Sequence, residues 1–283
     1  LTLENFWLLL RGLRSRGVRE IRGDLVLDRS FFAAGEYDPA RFHDQPTRPY
    51  NTGPDALLVN FKAIRLHFVP DLEARVVRLL VEPPLPQVQV VNNLAFDASG
   101  QCGDWVGKLK LDAQGDATSA RLVFGGAFPA SCGERVRNFS VLGHSQYLLA
   151  LFRELWREQG GTLSGTVREG PVPPDARLIT TVQSPGLSEI VRDINNFSTT
   201  VMAGQPSLAL GAVGAAPPAS ADKSSRVIRQ WLAGKGLSFP ELVLENGSGL
   251  SRVERITARN LGELLIAAFR SPVMPELMAS LPV

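Results

Sequence analysis

The chain has 283 residues, 44% of them hydrophobic and 20% charged, with a mean hydropathy of +0.02. That length holds two or three domains with ample core, and the balance is that of a globular protein. A net charge of +2 without a dense Lys/Arg cluster argues against nucleic acid, and no apolar run approaches the ~20 residues of a membrane span.

The chain opens at Leu1, directly in a helical pattern and with no signal peptide, so upstream processing or truncation is expected. Leu3, Phe6, Trp7, Leu10 and Leu13 have helical spacing, which predicts a helix from Leu3 to Arg16 ended by Gly17. Ile21 to Asp28 reads as a strand. Arg41 to Pro54 is a Pro/Gly/Asn-rich loop, and an irregular connection of that length is usually functional. From Ala56 to Arg137 the pattern is that of a small all-β module. Its strands are expected at Leu57–Phe61, Arg65–Val69, Val76–Val81, Gln87–Val90, Lys108–Asp112 and Ala120–Phe124. An amphipathic helix from Ser145 to Gln159 buries Tyr147, Leu148, Leu151, Phe152, Leu155 and Trp156, and Gly160-Gly161 stops it. A helix from Leu187 to Leu210 and a loop from Gly211 to Asp222 follow. A helix from Ser224 to Ala233, a strand at Leu242–Leu244, a helix from Thr257 to Phe269 and a short helix from Pro272 to Ser280 complete the chain.

Cys102 and Cys132 each sit beside turn residues and bracket a β-patterned segment. Such a pair reads as a disulfide and an oxidising compartment; the alternative is two buried free thiols. His43, His67 and His144 share no ligand spacing and predict no metal site.

The run Asn246-Gly247-Ser248-Gly249-Leu250-Ser251-Arg252 follows the β-rich Leu242-Val243-Leu244, so a strand is expected to end there in a tight glycine loop. Together with Ser184-Pro185-Gly186 through Asn195-Asn196-Phe197-Ser198 and Val201-Met202-Ala203, this loop resembles the class C penicillin-binding proteins. These are the S13-like serine D-alanyl-D-alanine carboxypeptidases and endopeptidases of the bacterial cell wall. The resemblance runs through nearly all of the chain. It implies an α+β multidomain fold: an α/β second domain at 1–60 and 139–178, an all-β third domain inserted at 61–138, and the helical middle of the transpeptidase-like domain at 179–283. It also implies a bridge in the inserted domain, a periplasmic location, and neither cofactor nor metal. Its partners would be peptidoglycan stem peptides, and β-lactams for an active full-length protein. No nucleic acid is implied, and peripheral membrane contact is left open.

A serine acyltransferase needs a nucleophile, a base, an oxyanion hole and a handle for the substrate carboxylate. Penicillin-recognising enzymes supply these from Ser-x-x-Lys, Ser-x-Asn and Lys-Thr-Gly. The sole Ser-x-x-Lys, Ser220 to Lys223, falls in the expected Ala/Pro loop and reads as chance, and no Lys-Thr-Gly occurs. In the family these motifs lie before the Leu1 helix and after the Met274–Pro282 segment, so the chain is expected to be an inactive fragment lacking both. Ser198 matches the serine of Ser-x-Asn, with a helix-break or capping serine as the alternative. Thr200 stands where asparagine is expected, and its single hydroxyl cannot bridge the same partners. Ser248 and Arg252 are the substrate-side candidates of the glycine loop; Arg252 could instead pair with Glu245 or Glu254. Tyr50-Asn51-Thr52 matches a loop overlooking the cleft, with Thr52 where some members carry an aspartate for the stem-peptide amine. A rival reading, favoured by Thr200, is a non-catalytic relative that binds peptidoglycan or a wall-synthesis partner.

Overall fold

The computed structural model describes residues 1–35, 37–41 and 43–282. In chain order come α1 (Leu3–Ser15), β1 (Glu20–Ile21), β2 (Leu25–Leu27), β3 (Ile64–Asp71), β4 (Val76–Glu82), β5 (Val88–Asn92) and β6 (Ala95–Asp97). Next are β7 (Leu109–Gly115), β8 (Ala120–Pro129), β9 (Arg135–Phe139), α2 (His144–Glu158), β10 (Thr162–Leu163) and β11 (Val167–Glu169). The rest is helical: α3 (Leu187–Phe197), α4 (Thr200–Ala215), α5 (Ala221–Gly234), α6 (Ala258–Phe269) and α7 (Met274–Ser280).

The Thr2 hydroxyl starts α1 by accepting from the Asn5 amide at 3.2 Å. The helix lays Phe6 and Leu10 against α2, where the Phe6 and Phe152 rings meet edge-on with centroids 6.3 Å apart. Beside this helix pair, β1 runs parallel to β10 and β2 parallel to β11. Segments more than 130 residues apart are thereby joined across everything between them.

Between them, β4-β3-β9 form an antiparallel sheet, while β8 carries β7 antiparallel and β5 and β6 parallel. The period of two is clear on β3: Ile64, Leu66 and Phe68 are buried while Arg65 and His67 face outward. Phe68 packs edge-on against Phe124 (5.4 Å) and stacks on Phe128 (5.8 Å), and Phe124 meets Phe139 at 5.7 Å. Each fully buried ring contributes about 2–3 kcal/mol of transfer free energy, which makes this aromatic cluster the chief support of the two sheets. Cys102 and Cys132 are bonded, tying the segment before β7 to the turn after β8.

Several expected elements differ. Leu57–Phe61 is not a strand. Asp55 Oδ1 accepts from the Leu57 amide at 2.8 Å, which turns the chain, and Asn60, Phe61 and Lys62 then follow one another at φ 48°, 51° and 56°. The expected helix Leu187–Leu210 is two helices, because Ser198 adopts the left-handed conformation (φ 49°, ψ 45°) and ends α3. The expected loop at Gly211–Asp222 is shorter: α4 continues through its alanines to Ala215, and the Pro217-Pro218 pair ends the run. Helix α5 begins at Ala221, three residues before the expected Ser224, because Ser220 caps it. Leu242–Leu244 contributes only an isolated antiparallel bridge, Val243 to Arg255. β6, β9, β10 and β11 are not anticipated by the sequence pattern.

The C-terminal helices keep an incomplete core. Leu232, Phe239 and Leu242 form a small buried cluster, but α3 has no fully buried residue. Leu187 and Phe197 on α3, and Leu265 and Phe269 on α6, are 64%, 76%, 52% and 61% exposed. Among the described residues no helix is long and apolar enough to cross a membrane.

Candidate functional site

Helix α4 organises the site by holding two loops. Thr200 Oγ1, in its first turn, donates to the Tyr50 carbonyl at 3.3 Å. Gln205 and Asp55 are clamped together: Gln205 Nε2 donates to the Asp55 carbonyl at 2.8 Å, and the Asp55 amide donates back to Gln205 Oε1 at 3.2 Å. The glycine loop lies against Gly204, where an added Cβ would come 3.8 Å from both the Asn246 carbonyl and Ser248 Cβ. Thr200 and Gly204 are four residues apart and therefore stack on one helix face.

The Asn246–Arg252 loop is held from within. Glu254 Oε1 accepts from the amides of Glu245, Asn246 and Gly247 at 2.8, 2.8 and 2.9 Å. Gly247 sits at φ 64°, and a Cβ there would fall 2.2 Å from Ser207 Oγ, so the turn requires glycine on both counts. The Ser248 amide and hydroxyl both donate to Asn246 Oδ1, at 2.8 and 2.7 Å, and Ser248 Oγ accepts from the Leu250 amide. That hydroxyl shapes the loop.

Thr200 and Ser248 are thus both drawn to the start of α4, Thr200 in its first turn and Ser248 against Gly204 one turn on. Ser198 is exposed at the break just before it. Arg252 is exposed and lines a cavity of about 140 Å³ with Tyr37, Arg41 and Asn246. Of the two acids named as its alternative partners, Glu245 also pairs with Arg41, and Glu254 also accepts from the loop backbone. Thr52 is buried, donates to the Phe61 carbonyl at 3.2 Å and shares a hydrogen bond with Ser140 Oγ at 3.1 Å, so its hydroxyl is turned inward. Ser220 lies at a helix start and not within a loop, but its hydroxyl accepts from the Lys223 amide at 3.3 Å as an N-cap. The Lys223 ammonium donates to the carbonyls of Ala216 and Pro218 at 3.0 and 2.8 Å, which leaves no base for Ser220.

A second cluster escaped the sequence reading. Asp55, 4% exposed, is gripped by the Arg29 guanidinium, with Arg29 Nε at 2.7 Å. Arg29 also pairs with Glu169 at 2.7 Å, and Glu169 accepts from Ser145. His144 Nδ1 stands 3.8 Å from Asp55 Oδ2, and burial, outweighing that carboxylate, pushes the imidazole down to about 4. Burial likewise brings the Lys62 ammonium down to about 8. The one available signal was Asp55 itself, an acid within the apolar run Pro54 to Val59, which calls for a buried cation.

Over residues 1–283 the sequence matches the family described as "D-Ala-D-Ala carboxypeptidase 3 (S13) family". It is 25% identical over 295 residues to a D-alanyl-D-alanine carboxypeptidase of Actinomadura sp. (strain R39), aligning all of this chain with 53% of that protein. It is 22% identical over 288 residues to the D-alanyl-D-alanine carboxypeptidase DacB of Haemophilus influenzae, covering 58% of it. The fold superposes on the crystal structure of penicillin binding protein 4 (dacB) from Haemophilus influenzae with a TM-score of 0.79 at 21% identity, over 100% of this chain and 61% of that one. A β-lactam complex of the same protein gives 0.69 at 20% identity. The chain therefore spans a little over half the length of these relatives.

Proposed function

As the chain belongs to the D-Ala-D-Ala carboxypeptidase 3 (S13) family, we propose that it frames one wall of the cleft of a serine D-Ala-D-Ala carboxypeptidase and endopeptidase acting on peptidoglycan stem peptides. The observation that carries this reading is the placement of the Tyr50 loop and the Asn246–Arg252 loop side by side along one face at the start of α4, whose first turn bears Thr200. Ser198 relays the proton to the leaving nitrogen, and its position at a helix break leaves the hydroxyl accessible. Thr200 offers one hydroxyl where an amide would offer two donors and an acceptor, so its hold on substrate is weaker. Arg252, exposed on the rim, receives an acidic group of the stem peptide. These 283 residues hold no Lys-Thr-Gly, and their one Ser-x-x-Lys match is the capping Ser220 with Lys223, so no serine among them is assigned as the acylated one.

The same reading divides the chain into 1–60 with 139–178, an insertion at 61–138, and 179–283 as part of a transpeptidase-like domain. The parallel pairings of β1 with β10 and β2 with β11, which close around β3 to β9, support the first two divisions. The exposed apolar residues of α3 and α6 support the third, since faces of that kind call for a further layer. The Cys102–Cys132 bond supports an oxidising compartment, in keeping with a periplasmic location. Fluorescent penicillin offered to the product of the complete reading frame tests the proposal. Stoichiometric acylation on a serine supports it. Failure to acylate, with retained binding to isolated peptidoglycan, turns the reading to a non-catalytic binding protein.

A further inference from the structure

We propose that Lys62 is a nucleophilic amine, set in a cavity of its own, that condenses with small aldehydes to form an imine. The cavity borders the Tyr50 loop through Thr52 but includes no residue of the Asn246–Arg252 loop, and the proposal does not rest on the carboxypeptidase reading.

Geometry comes first. The cavity holds about 530 Å³ and is lined in part by Arg29, Thr52, Lys62, Ser140 and His144. That is ample for a small organic molecule. Lys62 reaches it from an unusual backbone. Asn60, Phe61 and Lys62 are consecutive non-glycine residues in the left-handed region, each costing on the order of 1–3 kcal/mol. The turn is over-determined by its surroundings. The Asn60 amide donates to the Leu1 carbonyl at 2.8 Å, and Asn60 Nδ2 donates to the Ala63 carbonyl and to Tyr147 Oη at 3.0 and 3.2 Å. Tyr147 Oη donates in turn to the Ala63 carbonyl at 2.9 Å, and Thr52 holds the Phe61 carbonyl. Strain retained by this many fixings is spent on aiming one side chain.

The amine so aimed has no hydrogen-bond or ion-pair partner among the described residues, whereas Lys223 has two carbonyls. The charged groups around it explain why it stays unpaired. Asp55, from the loop before the turn, is held by Arg29 and by the Leu57 amide. Glu169 on β11 is taken by Arg29 and Ser145, and Asp116, just after β7, accepts from the Thr118 amide and hydroxyl and the Ser119 amide. His144, at the start of α2, is neutral above about 4. With the ammonium brought down to about 8 by burial, roughly 10% of Lys62 is free amine at pH 7, against well under about 0.1% for an ordinary lysine.

The chemistry is that of amine and carbonyl. The neutral Nζ lone pair attacks the aldehyde carbon, the C=O π pair moves to oxygen, and a proton passes from nitrogen to that oxygen through cavity water. Loss of water from the carbinolamine leaves the imine, so amine plus aldehyde gives imine plus water.

The test uses the whole chain with a limiting amount of ¹³C-formaldehyde and cyanoborohydride, which traps imines, followed by peptide mass mapping. Lys62 should carry at least ten times the label of Lys108, Lys110, Lys223 or Lys235 at pH 7, and its labelling rate should inflect near pH 8. The Leu1 amine is mapped separately, because burial lowers its pKa too. In Lys62→Gln, with folding checked by circular dichroism, the leading label should vanish while the other four lysines are unchanged. Labelling of Lys62 no faster than Lys108 and Lys110, or a rate that climbs past pH 9 without inflection, overturns the proposal.

Discussion

Removing the Glu254 carboxylate should release the glycine loop while leaving the rest of the fold in place. One oxygen, Glu254 Oε1, accepts three amides within 2.9 Å, those of Glu245, Asn246 and Gly247. Hydrogen bonds to a charged acceptor contribute about 1.5–3 kcal/mol each when buried. Glu254 is only half-buried and Gly247 is exposed, so water recovers a good part of that on opening. A net of about 2–4 kcal/mol remains for the three together, and it bears on a local opening of residues 245–252, since the contacts of the α5 core lie outside the loop. In Glu254→Ala the three amides should exchange hydrogen about 30 to 1,000 times faster than in the parent, while amides in β3 and β8 keep their protection. Glu254→Gln keeps an acceptor without its charge, and neutral bonds are roughly half as strong, so an acceleration of about tenfold is expected. Native-state hydrogen exchange read by mass spectrometry or NMR resolves the parent and the two variants. Unchanged protection in Glu254→Ala, or equal acceleration in the Ala and Gln variants, would refute the reasoning that one carboxylate shapes this loop.

Breaking the Cys102–Cys132 bond in a double serine variant removes a closure across 30 residues and should cost about 3–4 kcal/mol on the loop-entropy account, read by thermal denaturation. His144 is held down to about 4, so the folded state binds fewer protons than the unfolded one between that value and the ordinary imidazole pKa of about 6.5. Its contribution, up to about 3 kcal/mol, is complete above about 6.5 and is lost as pH falls toward 4. His144→Gln should flatten the stability profile in that window, by urea melts at pH 4.5 and 7. The 283-residue chain should form no covalent adduct with benzylpenicillin, because the Ser220 hydroxyl serves as a cap and Lys223 faces carbonyls; a stoichiometric mass gain would disprove this. In an active protein carrying this segment, Thr200→Asn should raise acylation by up to about 10²-fold, as one well-placed donor does in comparable sites; a neutral or slower variant would show that the Tyr50 contact is the task of Thr200.

What the sequence discloses here is whatever is encoded locally. The period of β3, the apolar face of α2 and the start of α1 at Leu3 depend on neighbours within a few residues, and each stands where its pattern places it. The misreadings share an opposite cause. Leu57, Val59 and Phe61 alternate like a strand, yet Asp55, buried by an arginine 26 residues earlier and by a glutamine 150 residues later, bends the chain first. Alternation says which residues want burial, and it is silent on whether a distant partner has fixed the backbone otherwise. Ser198 interrupts a helix whose apolar spacing carries straight through it, for a reason visible only in three dimensions. Breaking there directs α4, with Thr200, toward the Tyr50 loop, while Asn195 and Asn196 at the end of α3 bond to Ser280 on α7.

The candidate site divides along the same line. Gly247, Ser248 and Gly249 could be singled out because glycine flanking serine is a local statement about backbone freedom. Glu254, which holds them, could not, since an acid seven residues past a turn looks like any solvated residue until its oxygen is seen among three amides. Lys62 is the limiting case. It is one lysine among five and lies just past what reads as a strand; neither its isolation nor its aim is written in the residues beside it. Both arise because Leu1, Thr52 and Tyr147, contributed by three separate segments, fix the turn that carries it. A side chain whose chemistry is set by contacts that distant is found by following strain and missing partners through the fold.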